Sequence, residues 1–96
     1  SYYGKLSFSN HVIEALVHYA VRDLRKIHIG HISSVKSTSQ MNGIILSLDV
    51  TVRQGTPQEI KKLIHLMRDK IQREIEHTTG MALDTIKVNI ITDVTG

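Results

Sequence analysis

The order of hydrophobic and polar positions along the chain predicts alternating strands and helices. Residues 4–8 alternate, with Leu6 and Phe8 on one face, which indicates a short strand. Ser9 and Asn10 are capping residues, and apolar residues follow them at helical spacing, so we expect a helix from about 10 to about 24. Its apolar stripe consists of Val12, Ile13, Leu16, Val17, Ala20, Val21 and Leu24.

The middle of the chain predicts a loop and two strands of unequal strength. Residues 25–32 interleave isoleucine and histidine around Gly30, and we expect an irregular loop there that leads into a serine-rich strand at about 33–39. Asn42-Gly43 is typical of a tight hairpin turn, because both residue types tolerate positive φ. Residues 44–53 then alternate cleanly between apolar and polar side chains. This pattern predicts a sheet that is covered on one face.

The second half of the chain predicts a long helix and a last strand. Thr56-Pro57-Gln58-Glu59 is a capping box with proline at the first helical position. The helix is expected to end at Thr79, before Gly80. Residues 85–93 alternate again and indicate a strand. The apolar face of the helix consists of Ile60, Leu63, Ile64, Met67, Ile71 and Ile75.

These elements predict a single α+β domain over residues 1–96. The expected order is β-α-β-β-α-β, a two-layer sandwich with two helices on one face of a four-stranded mixed sheet. A ferredoxin-like arrangement is one solution. A second solution places the strand at 44–53 in the centre of the sheet.

Composition and motifs argue against an enzyme. The chain has no cysteine, which excludes disulfides, thiolate zinc sites and cysteine nucleophiles. It also lacks phosphate-binding glycine loops and the G-x-S-x-G motif of serine hydrolases. His28 and His31 are too few for a metal site, which needs three or four ligands. We therefore expect no catalytic residues, no metal and no cofactor, and no apolar run of about 18 residues predicts a membrane span.

The basic residues define an alternative hypothesis, a small RNA-binding module. The net charge is only +3, from 12 basic and 9 acidic residues, which is low for a dedicated nucleic-acid binder. The chain also lacks a KH-type glycine clamp and the strand aromatics of an RRM, so nucleic acid is expected to be an unlikely partner. If an anionic partner does bind, it would use the segment at 25–36 and the basic quarter of the second helix. The candidate contacts are Arg25, Lys26, Lys61, Lys62 and Arg68.

The leading hypothesis is a scaffold that self-associates or docks a protein partner. A sheet covered on one side leaves a polar face open, and such surfaces are often covered by association. Isoleucines in the loop would anchor a partner if they are exposed. The candidate contacts are Ile27, Ile29 and Ile32 in the loop, and Ser47, Asp49, Thr51 and Arg53 on the sheet.

Three stretches of the chain, in order, resemble the alkaline-shock-protein family of Gls-type envelope stress response proteins. They are residues 4–13, the long strand that ends in Gln54-Gly55, and residues 79–90. The family commonly has an aromatic residue where this chain has Gln54. The resemblance implies a non-enzymatic bacterial protein that is cytoplasmic, acts in cell-envelope homeostasis and is often held near the membrane by an anchor protein. It implies no catalytic residues.

Overall fold

The computed structural model describes residues 10–36 and 43–92, which form two helices and three strands. In chain order these are α1 (Asn10–Ala20), β1 (Ile27–Lys36), β2 (Gly43–Val52), α2 (Pro57–Thr79) and β3 (Ala82–Thr92). In this part of the chain, neither helix is long and apolar enough to cross a membrane.

The three strands form one mixed sheet with β2 in the centre. β1 pairs with β2 antiparallel, from Ile27 opposite Val52 to Lys36 opposite Ile44. β3 pairs with the other side of β2 in parallel. Parallel neighbours need a crossover connection, and α2 provides it.

The predicted four-stranded β-α-β-β-α-β sandwich is wrong. The described residues have the order α-β-β-α-β, with one three-stranded sheet. The direct parallel pairing of β2 with β3 also rules out the ferredoxin-like arrangement. The predicted strand at 4–8, the end of the one at 33–39, and Asn42 of the hairpin turn lie outside the described residues.

The segment at 25–32, expected to be a loop, is largely strand. A β-bulge interrupts the alternation of its apolar residues, so the sequence pattern does not indicate a strand. Ile29 lies opposite Val50 and Ile32 opposite Leu48, so three steps along β1 match two steps along β2. The extra residue changes the spacing of inward positions from two to three. Ile27, Ile29 and Ile32 therefore all point into the core although their sequence spacing is irregular.

The first helix is shorter than its apolar stripe predicted. It ends at Ala20, and the chain continues through turns whose N–H groups bond three residues back, from Leu24 to Val21 and from Ile27 to Leu24. Such turns have about three residues per turn, close enough to helical spacing to continue the stripe. Val21 stays buried and Leu24 packs against the core although both lie outside the helix.

Both ends of α2 follow their sequence signals. The N–H of Glu59 donates to Thr56 Oγ1 at 3.2 Å, and the N–H of Thr56 donates to Glu59 Oε1 at 2.8 Å, so the predicted capping box is confirmed. Gly80 closes the other end in the left-handed region at φ 72°. β3 begins at Ala82, three residues earlier than expected, and the N–H of Leu83 donates to Glu76 Oε2 at 2.9 Å.

One core lies between the two helices and the inner face of the sheet. β2 alternates strictly, with every second side chain from Ile44 to Val52 buried. The buried apolar helix residues are Ile13, Val17 and Ala20 from α1, and Ile64, Met67, Ile71 and Ile75 from α2.

Candidate nucleic-acid interface

The isoleucines considered as partner contacts are part of the core. Ile27, Ile29 and Ile32 are 8%, 6% and 3% exposed and belong to the main hydrophobic cluster. Their side chains are therefore not available on the surface of the folded chain, and the loop from which they were expected to project is strand β1.

The polar side of β2 faces away from the helices. Ser47, Asp49 and Thr51 are half-buried, and Arg53, just beyond the strand, is exposed. Asn89 of β3 donates from Nδ2 to Asp49 Oδ1 at 3.3 Å across this face. Of the four predicted contacts, Ser47, Asp49 and Thr51 therefore lie on one face of the sheet, and Arg53 lies at the end of β2.

Five basic residues from three parts of the chain converge at one end of the fold. The N–H of Arg53 donates to the carbonyl oxygen of Lys26 at 3.2 Å, which joins the end of β2 to the start of β1. Helix α2 begins four residues after Arg53, and the charge of Lys26 acts on Glu59 in its first turn. We call this surface the cationic end; its residues, all exposed, are Arg25, Lys26, Arg53, Lys61 and Lys62.

The charge of the cationic end remains positive when its neighbouring acids are included. Asp23 and Glu59 lie closest along the chain, which leaves a net charge of +3 over the seven residues. The backbone N–H of Thr56, bonded to the carboxylate, lowers the pKa of Glu59, and the Thr56 side chain and Lys26 act in the same direction. Glu59 is therefore ionised and engaged in the cap at neutral pH.

Two basic residues from the same hypothesis lie elsewhere. Lys36 is at the opposite end of β1, about 30 Å from Ile27 at the usual strand rise. Arg68 lies about 10 Å further along α2 than Lys61. It lines a cavity of about 190 Å³ beside the start of β3, together with Gln72 and Leu83.

Sequence reasoning missed a groove between the end of α1 and the second half of α2. We call it the interhelical groove; it has a volume of about 600 Å³. Arg22 comes from the turn after α1, and the α2 residues lie at spacings that place them on the flank facing α1. The charged or titratable lining residues are Arg22, Lys70, Arg73, Glu74, Glu76 and His77.

Arg22 is held in place at the edge of this groove. Its Nη1 donates to the carbonyl oxygen of Tyr19 at 2.7 Å, and the guanidinium lies 4.0 Å from the centroid of the Tyr19 ring. Tyr19 is 54% exposed. The signal available in the sequence was an aromatic residue three positions before an arginine at the end of a helix.

The described surface offers chemistry for binding anions. Guanidinium and ammonium groups pair with phosphates, arginine in a bidentate manner and lysine as a point charge. Within residues 10–36 and 43–92, no three histidine or acidic side chains come together as metal ligands.

Comparisons with known proteins support the fold and leave the family open. No protein-family model matches the chain, and no curated protein gives a significant match. A solved structure of Era, in complex with MgGDPNP and nucleotides 1506–1542 of 16S ribosomal RNA, is similar over 95% of this chain, with a TM-score of 0.55 and 13% identity. The chain spans 37% of the length of that Era chain. The resemblance to alkaline shock proteins therefore stays a prediction.

Proposed function

We propose that this protein binds RNA through the cationic end. The observation that carries the proposal is that three separate segments place exposed cations at the same end of the fold; they are Arg25, Lys26, Arg53, Lys61 and Lys62. Contacts from such side chains to phosphates supply most of the affinity of non-specific nucleic-acid binding. The fold-level similarity to Era, whose structure contains a segment of ribosomal RNA, supports RNA as the class of partner to test first.

The proposed mode of binding differs from that of a KH domain. In a KH domain a G-X-X-G loop clamps the nucleic-acid backbone. Helix α2 runs for 23 residues without a glycine, so it offers no such clamp. The cationic end instead presents separate side chains at the ends of β1 and β2 and the start of α2, which favours recognition of the phosphate backbone over recognition of base sequence.

Charge reversal at the cationic end tests the proposal. Binding of a fluorescein-labelled 20-nucleotide RNA is measured by anisotropy for the wild-type chain and for K61E/K62E. The matched control is K36E/K87E, which carries the same change in charge on exposed residues outside the cationic end. We expect K61E/K62E to lose at least about tenfold in affinity at 50 mM salt and the control to lose less than about threefold. Equal losses in both variants, or no binding by the wild type, would contradict the proposal.

Self-association through the outer face of the sheet is a second candidate. Val35 and Ile91 are 60% and 45% exposed. They lie opposite Ile45 and Thr51 of β2, so they belong to the same face as Ser47 and Asp49. We propose this face, without the buried isoleucines, as the contact surface of a scaffold. Sedimentation equilibrium at high micromolar concentration tests it, and a strict monomer would exclude self-association.

A further inference from the structure

The interhelical groove has two acidic and four basic or titratable side chains, but its acids are already engaged. The hydroxyl of Thr78 donates to Glu74 Oε2 at 3.0 Å. Glu76 Oε2 accepts from the N–H of Leu83 at 2.9 Å and from Gln72 Nε2 at 3.4 Å. These bonds direct both carboxylates toward the chain's own donors, and Arg73 pairs with Asp69 at 3.2 Å. Arg22 and Lys70 are therefore the cationic side chains of the groove that remain to contact an anionic ligand.

The edge of the groove carries a preorganised stacking pair. The Arg22 guanidinium is fixed by its bond to the Tyr19 carbonyl oxygen and by its contact with the Tyr19 ring. Both residues are exposed. Unpaired bases in single-stranded RNA stack on aromatic rings and on arginine planes, and little side-chain ordering is required when the platform is already held.

We infer that the interhelical groove binds one nucleotide of single-stranded RNA, with its base stacked on the Tyr19–Arg22 pair and its phosphate held by Arg22 and Lys70. The inference rests on the proposed function. It adds the interhelical groove as a second contact surface, which binds one unpaired nucleotide of the RNA. Arg22 lies three residues before Arg25 of the cationic end, so a strand bound there would continue toward the groove.

Base stacking and charge make different demands on the ligand, which allows them to be separated. Removal of an aromatic platform by alanine substitution typically costs about 5- to 150-fold in affinity for each stacked base. A phosphate contact depends on charge and needs no base. An abasic oligonucleotide therefore retains the phosphate contacts and loses the base stacking.

The test compares labelled 10-nucleotide oligoadenylate with an abasic oligomer of the same length and charge. We expect Tyr19→Ala to weaken binding of oligoadenylate at least about fivefold and binding of the abasic oligomer less than twofold. Tyr19→Phe, which keeps the ring, serves as the matched control and should bind both oligomers as the wild type does. Arg22→Lys keeps the charge but removes the planar fork, and it should also lose affinity selectively for oligoadenylate.

The outcomes separate this inference from the proposed function. Suppose that the wild type binds both oligomers, and that Tyr19→Ala lowers both affinities equally or changes neither of them. The proposed stacking site is then refuted, while the proposal of RNA binding stands. If the wild type binds neither oligomer at 50 mM salt, both fail. Far-ultraviolet circular dichroism of each variant confirms that the fold is retained, which is expected because Tyr19 and Arg22 are exposed.

Discussion

The hydroxyl group of Thr79 accepts a hydrogen bond from the N–H of Met81 at 3.0 Å and donates one to the carbonyl oxygen of Ile75 at 2.6 Å. Thr79 is 7% exposed, so these bonds form inside the fold, where α2 ends and the chain turns into β3. One side chain thus satisfies a helix carbonyl and the N–H of Met81, the second residue after the helix.

Replacement of Thr79 by valine tests the importance of this connection. Valine keeps the shape but leaves the N–H of Met81 without its acceptor, and we expect the free energy of unfolding to fall by about 1–3 kcal/mol. Thr78→Val is the control, because Thr78 is exposed and its hydroxyl bonds to Glu74; it should cost less than about 0.5 kcal/mol. Urea unfolding measures both. Equal values would show that burial of the hydroxyl does not matter.

Gly80 is predicted to be required for its backbone conformation. It adopts φ 72°, and a Cβ atom placed there would meet no other atom within 4 Å. The cost of Gly80→Ala should therefore come from the left-handed conformation and amount to about 1 kcal/mol. Asparagine tolerates this region better, so Gly80→Asn should lose less stability in thermal unfolding. A larger loss for asparagine than for alanine would point to a steric cause.

Glu59 should make stability depend on pH in the acidic range. Its pKa is lower in the folded chain than in the unfolded chain, so its ionised form favours folding. The contribution is present above the unfolded pKa and is lost as the pH falls through the folded pKa. The stability difference between wild type and Glu59→Gln should therefore be greatest near neutral pH and shrink in acid.

A series of urea titrations from pH 7 to pH 3 measures this difference. Thr56→Ala removes the side-chain acceptor of the capping box and should lower stability by about 1 kcal/mol at neutral pH. A wild-type advantage over Glu59→Gln that grows in acid would contradict the assigned direction of the pKa shift.

The buried isoleucines of β1 should control stability. Ile32 is 3% exposed, and Ile32→Ala should destabilise the fold by about 2–5 kcal/mol through lost burial and the cavity that remains. Val35, on the same strand but 60% exposed, provides the control, and Val35→Ala should cost less than about 1 kcal/mol. Unchanged stability for Ile32→Ala would mean that this side chain faces outward.

The dependence of RNA affinity on salt should report the cationic end directly. For single-stranded nucleic acid, each phosphate contact contributes about −0.7 to the slope of log affinity against log salt, so five contacts give a slope of about −3.5. Replacement of Lys61 and Lys62 by glutamine should reduce its magnitude by about 1.4. Anisotropy titrations at salt concentrations from about 50 to about 300 mM measure this slope. An unchanged slope would remove these lysines from the interface.

Local signals in the sequence determined the features that depend on neighbouring residues. The start of α2 follows from Thr56 and Glu59, three residues apart, and its end from Gly80. The strict alternation of residues 44–52 defined β2 and its buried face. Caps and alternation act over two to four residues, so they can be read without knowledge of the fold.

Only the tertiary structure decided the features that depend on pairing between distant segments. The bulge between Ile29 and Ile32 exists relative to β2, and without that partner its spacing resembles a loop. The convergence of Lys26 and Arg53 likewise requires the pairing of β1 with β2. The interhelical groove requires α1 to pack beside α2. Strand register and helix packing arise from contacts across many residues, which no short sequence pattern contains.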